Sequence, residues 1–110
     1  MSERSTQLLL EDMQESLQKI FKFTDGLDRD AFMGDELVID AVLRNFEVIG
    51  EAASQLPDAF VDDHPDVEWH KMIGMRNRLI HGYFGVSTAI VWETIRQHLP
   101  VLRDQLKELL

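Results

Sequence analysis

Apolar side chains recur every three or four positions along almost the whole chain, and only three prolines and six glycines interrupt them. That period suits helices packed side by side; a β-sandwich would need alternation and many more turns. From Ser5 to Thr24, Leu10, Met13, Leu17, Ile20 and Phe21 fall on one stripe among Glu, Gln and Lys, which predicts an amphipathic helix. Gly26 and the acidic stretch Asp25–Asp30 end it, and Asp28 or Asp30 is placed to cap a short turn leading to Phe32. A second helix follows Asp35, with Val38, Val42, Phe46, Ile49, Ala53 and Leu56 on its stripe and Pro57 at its close. Inside it Gly50, Ala52 and Ala53 form a small-residue face. Because glycine within a helix costs about 1 kcal/mol relative to alanine, that face predicts close approach of a partner helix.

The segment Asp58–Pro65 reads as an acidic, turn-like connection, with Pro65 and Asp66 as first-turn residues of a third helix. Trp69, Met72, Ile73, Arg76, Leu79 and Ile80 then follow at helical spacing, so this side should face a core, and Gly82 should terminate the helix. The last run starts at a cap on Ser87 or Thr88 and carries Val91, Ile95, Leu99, Leu102, Leu106 and Leu109. Pro100 removes the bond that would reach back to Arg96, so a kink or break is expected near Gln97. Together these make an all-α, up-and-down bundle of four to five helices in a single domain over residues 1–110.

Composition narrows the function classes. A chain of 110 residues has little room for a deep pocket of its own, so a site shared between two copies is plausible. With no cysteine there is neither a disulfide framework nor a thiolate metal site, and a cytoplasmic setting is expected. Glu3, Glu11, Asp12 and Glu15 spoil any secretory apolar region, and no run of about 18 apolar residues exists to enter a membrane. The formal net charge of −9 disfavours non-specific nucleic-acid binding over most of the surface. One exception stands out. From Trp69 to Tyr83 there is no Asp or Glu, while Lys71, Arg76 and Arg78 are cationic and His70 and His81 can become so. Either this island meets RNA, or it pairs with the acidic faces around it.

Candidate chemistry sits in Arg76-Asn77-Arg78-Leu79-Ile80-His81-Gly82-Tyr83. On a helix, residues four apart lie about 40° from alignment, so Asn77 is placed to hydrogen-bond the His81 imidazole and fix its tautomer. Arg76 and His81, five apart, lie about 140° from one another, so two facing copies would gather Arg and His in one cleft more readily than one copy could. Imidazole can move a proton to or from an RNA hydroxyl, and guanidinium can hold non-bridging phosphate oxygens. A structural account fits the same residues, since a histidine at a helix C-terminus also complements the dipole.

The segment Arg76–Tyr83 resembles the Arg-x4-His-x-Tyr signature of the HepT-like toxins in the HEPN superfamily. The likeness extends to Arg44-Asn45-Phe46-Glu47-Val48-Ile49-Gly50-Glu51-Ala52-Ala53, to Trp69, and to Val91-Trp92 and Leu99-Pro100. It implies a dimerising helical bundle acting as a metal-independent endoribonuclease toxin of a type VII-like toxin-antitoxin pair. By the same resemblance, Arg76 and His81 are catalytic with Asn77 supporting them. Tyr83 would receive AMP from a cognate minimal nucleotidyltransferase antitoxin, and that anionic group would silence the cleft by repelling RNA phosphates.

Other residues carry weaker signals. Lys71 and Arg78 are placed to contact RNA phosphate, although Arg78 serves a pairing with an acidic side chain equally well. Glu51 could pair with a motif arginine and orient it. His64 and His70 match no ligand spacing, so no metal is expected, and His98 reads as a surface or interface residue. Trp69 and Trp92 read as core or dimer contacts. No glycine-rich phosphate loop occurs, hence no cofactor is expected. Two further functions fit the residues: a non-catalytic helical partner that binds and regulates a nucleotidyltransferase, and a plain dimerisation module.

Overall fold

The computed structural model describes residues 4–82 and 86–110. Ser5 opens α1 (Thr6–Thr24): its hydroxyl accepts the Leu8 N–H at 3.1 Å, and the helix buries Leu9, Leu10, Met13, Leu17 and Ile20. Gly26, at φ 76°, turns the chain in the left-handed region that glycine tolerates best. Asp28 then caps α2 (Arg29–Met33) by accepting the Ala31 N–H at 2.8 Å. That short helix seats the fully buried Phe32 against Trp92, ring centroids 5.1 Å apart. Asp35 caps α3 (Glu36–Ser54) in the same way, accepting from Val38 N–H at 3.1 Å. Of these three caps the one at Asp28 is expected from the sequence, and Ser5 and Asp35 cap at the positions where it starts their helices.

Helix α3 is the centre of the bundle, with α1 on one side and α5 (Trp69–His81) on the other. It buries apolar Val42, Leu43, Phe46 and Ile49 together with small Gly50, Ala52 and Ala53. Gly50 marks the closest approach. A Cβ built there would collide with Arg76 Cβ and lie 2.6 Å from the Met72 carbonyl oxygen. The small-residue face thus has its packing reason: α3 and α5 touch backbone to backbone, and any side chain at position 50 would separate them.

Three local expectations are corrected. The acidic stretch after Pro57 is not merely a turn but a helix, α4 (Asp58–Asp63), because Phe60 and Val61 pack against the core from it. Phe60 also lies against His64 and Trp69, at 4.3 and 6.0 Å between ring centroids. Helix α5 begins at Trp69 rather than at Pro65 or Asp66. There the Trp69 N–H donates to Val67 O at 2.9 Å, where a helix begun at Pro65 would send it to Pro65 O. The same turn buries Val67 and lets the Trp69 indole N–H reach the His64 carbonyl at 3.0 Å. Finally, Ile80 is 51% exposed, so the inward face of α5 ends with Leu79.

Ser87 caps α6 (Thr88–Gln97), and the chain breaks at His98 before α7 (Leu99–Leu109). Pro100 falls in the first turn of α7, where its missing N–H removes no needed bond, so the break lies where the sequence places it. Long helices α1, α3 and α5 and the bent pair α6–α7 make an all-α bundle; α2 and α4 are short additions to the count the sequence suggested. No strand occurs among the described residues, and none of their helices is long and apolar enough to cross a membrane. Trp69 and Trp92 are both core residues.

Gly50 and Gly74 make a paired test. Nothing lies within 4 Å of a Cβ at Gly74, in the middle of α5. Gly74→Ala should therefore raise stability by about 0.5–1 kcal/mol through backbone entropy. Gly50→Ala should lower it by about 1–3 kcal/mol, since the helices must move apart. Urea unfolding of both variants checks this, and equal stabilities would show that the close approach is not tight.

Candidate active site

Gly50 and its neighbours place an arginine. By admitting α5 so closely, Gly50 puts the Arg76 stem on the α3 surface, beside Glu51. Arg76 Nη2 lies 2.7 Å from Glu51 Oε2, and Arg76 Nη1 donates to Asn77 Oδ1 at 2.8 Å. Gln55 Nε2 donates in turn to the other Glu51 oxygen at 3.0 Å. A continuous polar chain, Gln55–Glu51–Arg76–Asn77, thus runs from one helix to the other. The Arg76 side chain is 28% exposed and that of Glu51 49%, so the guanidinium is anchored yet open to a ligand.

His81 is the last residue of α5, exposed, at the negative end of the helix. Gly82 ends the helix at φ 134°, a value that suits glycine. The expected Asn77–His81 hydrogen bond is not among those the structure shows; Asn77 instead accepts from Arg76 through its carbonyl oxygen, a charge-assisted bond. Tyr83 lies outside the described residues.

Around Arg76 the surface forms a shallow hollow of about 250 Å³, lined in part by Arg4, Asp12, Arg44, Glu47 and Glu51. Its charges alternate. Arg4 binds Asp12 through two bonds of 2.9 and 3.0 Å, and Arg44 lies 3.8 Å from Glu47. The cationic run read from the sequence is thereby partly neutralised in three dimensions, Arg76 by Glu51 and Lys71 by Glu68 at 2.5 Å. The hydrogen bond from Lys71 holds the exposed Glu68 carboxyl below the usual carboxylate range, against a small opposing effect of desolvation.

Lys71 and Arg78 are brought together, but apart from the Arg76 hollow. Both line a larger groove of about 430 Å³ with Met72, Met75, His98 and Leu102, where α5 faces α7. That groove was not read from the sequence; the visible signal is Met72 and Met75 three apart on α5, with Leu99 and Leu102 three apart on α7. The role of Gln55 was also missed, although it stands four residues after Glu51, the spacing at which helical side chains meet. His98 is exposed at the helix break. His64 is a local structural residue whose Nδ1–H donates to the Phe60 carbonyl at 2.9 Å. Among the described residues no group of three or more His, Asp or Glu could hold a metal ion.

Over nearly its whole length the chain is similar to known proteins. The family description "Ribonuclease HepT-like" matches residues 13–109. A protein of Thermococcus cleftensis named "Probable ribonuclease HepT" is 37% identical over 96% of both chains. A Caldanaerobacter subterraneus protein named "Putative RNase TTE0752" is 39% identical over 92% of this chain and 90% of its own. A Methanocaldococcus jannaschii protein named "Putative RNase MJ1380" is 33% identical over 97% and 98%. No solved structure matches the chain significantly. The chain belongs to the ribonuclease HepT-like family of the HEPN superfamily. It is by that membership an RNase of the HEPN type.

Because His81 is exposed and Arg76 makes a partly exposed ion pair, neither should carry much of the stability. His81→Ala should change the unfolding free energy by less than about 0.5 kcal/mol and Arg76→Ala by less than about 1 kcal/mol, both read by urea titration. A larger loss at His81 would assign it to the scaffold.

Proposed function

We propose that this chain is a metal-independent endoribonuclease, the toxin of a toxin-antitoxin pair, acting as a homodimer whose two copies of Arg76 and His81 line one cleft. The observation that carries the reading is the held but accessible guanidinium of Arg76, on the same helix as the exposed His81, in a chain of a ribonuclease family. An anchored arginine meets a phosphate without first losing much side-chain freedom, which is what positioning contributes to a rate.

In this mechanism an imidazole of His81 removes the proton from an RNA 2′-hydroxyl. The 2′-oxygen attacks phosphorus while the bond from phosphorus to the 5′-oxygen breaks. A second His81, from the partner copy and carrying its proton, protonates that leaving oxygen. Arg76 donates to the non-bridging oxygens as negative charge builds on them. The products are a 2′,3′-cyclic phosphate and a 5′-hydroxyl. Asn77 fixes one edge of the guanidinium, which makes it a support for Arg76 rather than for the imidazole. Lys71 and Arg78, along the second groove, would hold RNA away from the scissile bond. Tyr83, two positions after His81 in the sequence, is the proposed site of AMP addition by a nucleotidyltransferase antitoxin.

Incubation with total RNA in EDTA tests this. The parent should cleave and leave 2′,3′-cyclic phosphate ends, while His81→Ala should be slower by at least about a hundredfold, the usual scale of lost acid-base catalysis. Arg76→Ala should fall comparably. A folded dimer with unmodified Tyr83, verified by intact mass, that leaves RNA whole would overturn the ribonuclease assignment. It would favour a non-catalytic partner of the nucleotidyltransferase.

A further inference from the structure

Most arginines on a helix surface are free to sample several rotamers, and a phosphate that recruits one must offset the lost freedom. Arg76 is different. Its stem is pinned where Gly50 admits α5 against α3, and its two terminal nitrogens are engaged on separate sides, by Glu51 from across the helix pair and by Asn77 from its own helix. Glu51 is itself oriented, because Gln55 occupies its second oxygen. We propose that Glu51 is the positioning residue for Arg76 in the cleavage reaction, fixing the plane in which the guanidinium meets the scissile phosphate; this rests on the assignment of Arg76 to that site.

Donor counting supports positioning rather than blockade. A guanidinium has five N–H donors; Glu51 and Asn77 each engage one, which leaves about three for phosphate oxygens. The carboxylate also has an opposite effect. Its negative charge near the bound phosphate weakens RNA binding in the ground state, so Glu51 trades affinity for geometry. Position alone distinguishes it from the other acids of the hollow, since Asp12 is paired with Arg4, and Glu47 lies beside Arg44.

Two measurements on the full chain test this, with Glu51→Ala and Glu51→Gln. In NMR spectra, the side-chain nitrogen signals of Arg76 should show slow guanidinium rotation in the parent and fast averaging in Glu51→Ala. In steady-state RNA cleavage, Glu51→Ala should lower kcat by about tenfold or more without raising KM, as expected when a reacting group loses its orientation. Glu51→Gln, which keeps an oxygen for Arg76 but not the charge, should recover most of kcat with KM at or below the parental value. A merely structural role for Glu51 would lower thermal stability in both variants and leave no split between kcat and KM. Arg76 rotating as freely in the parent as in Glu51→Ala would overturn the proposal, and so would a parental kcat with a raised KM. If the parent fails to cleave while the NMR difference is present, Glu51 still orients Arg76, but the ribonuclease assignment of the site falls and the role of Glu51 in cleavage falls with it.

Discussion

The approach of α3 to α5 at Gly50 is the contact on which the rest of the structure depends. One absent side chain lets the two helices meet where any Cβ would collide with Arg76 and the Met72 carbonyl. The core follows from that spacing, since Phe46, Ile49 and Ala53 of α3 and Leu79 of α5 are buried in the same apolar cluster. The candidate site follows from it too. Glu51, next to Gly50, stands within 2.7 Å of an arginine 25 positions later in the chain because the backbones are so close. The packing and the geometry of the candidate site are therefore decided by the same few atoms, those around Gly50.

Charge is arranged on the same principle. The chain carries nine more acidic than basic formal charges, yet the Arg76 hollow alternates its signs. Exposed ion pairs of this kind contribute little to stability, typically below about 1 kcal/mol each. Their value lies in restraint: a paired side chain keeps one geometry, and a site made of paired arginines is ordered before its ligand arrives. A surface of that type also discourages indiscriminate RNA binding, which depends on unpaired cations.

Much of this was legible in the residues. Caps at Asp28 and Ser87, the break before Leu99 and the terminator Gly82 all rest on local chemistry, which a sequence states directly. Glu51 as a partner for a motif arginine was legible as well, from its place in the helix that carries the small residues. What escaped depends on contacts between distant segments. Helix α4 forms from an acidic stretch because Phe60 finds Trp69, and the start of α5 is set by the indole reaching the His64 carbonyl. Helical spacing alone pairs Asn77 with His81, whereas the structure pairs its carbonyl with Arg76, the adjacent residue on the same helix. The separation of Lys71 and Arg78 from Arg76 was within reach of helical spacing, since the first two stand seven apart on one stripe and Arg76 lies roughly 140–160° away, but the groove they line required the placement of α7.

In the proposed reaction the ribose hydroxyl attacks phosphorus beside a rigid helix crossing, His81 moves the proton and Arg76 stabilises the developing charge. The most direct test of that claim changes the substrate and leaves the protein alone. Once a cut site is mapped in a defined RNA, the 2′-hydroxyl at that nucleotide is replaced by hydrogen in an otherwise unaltered strand. The account predicts that cleavage at that bond stops while other sites are still cut. Cleavage continuing at the deoxy position would contradict it, because the nucleophile would then come from elsewhere.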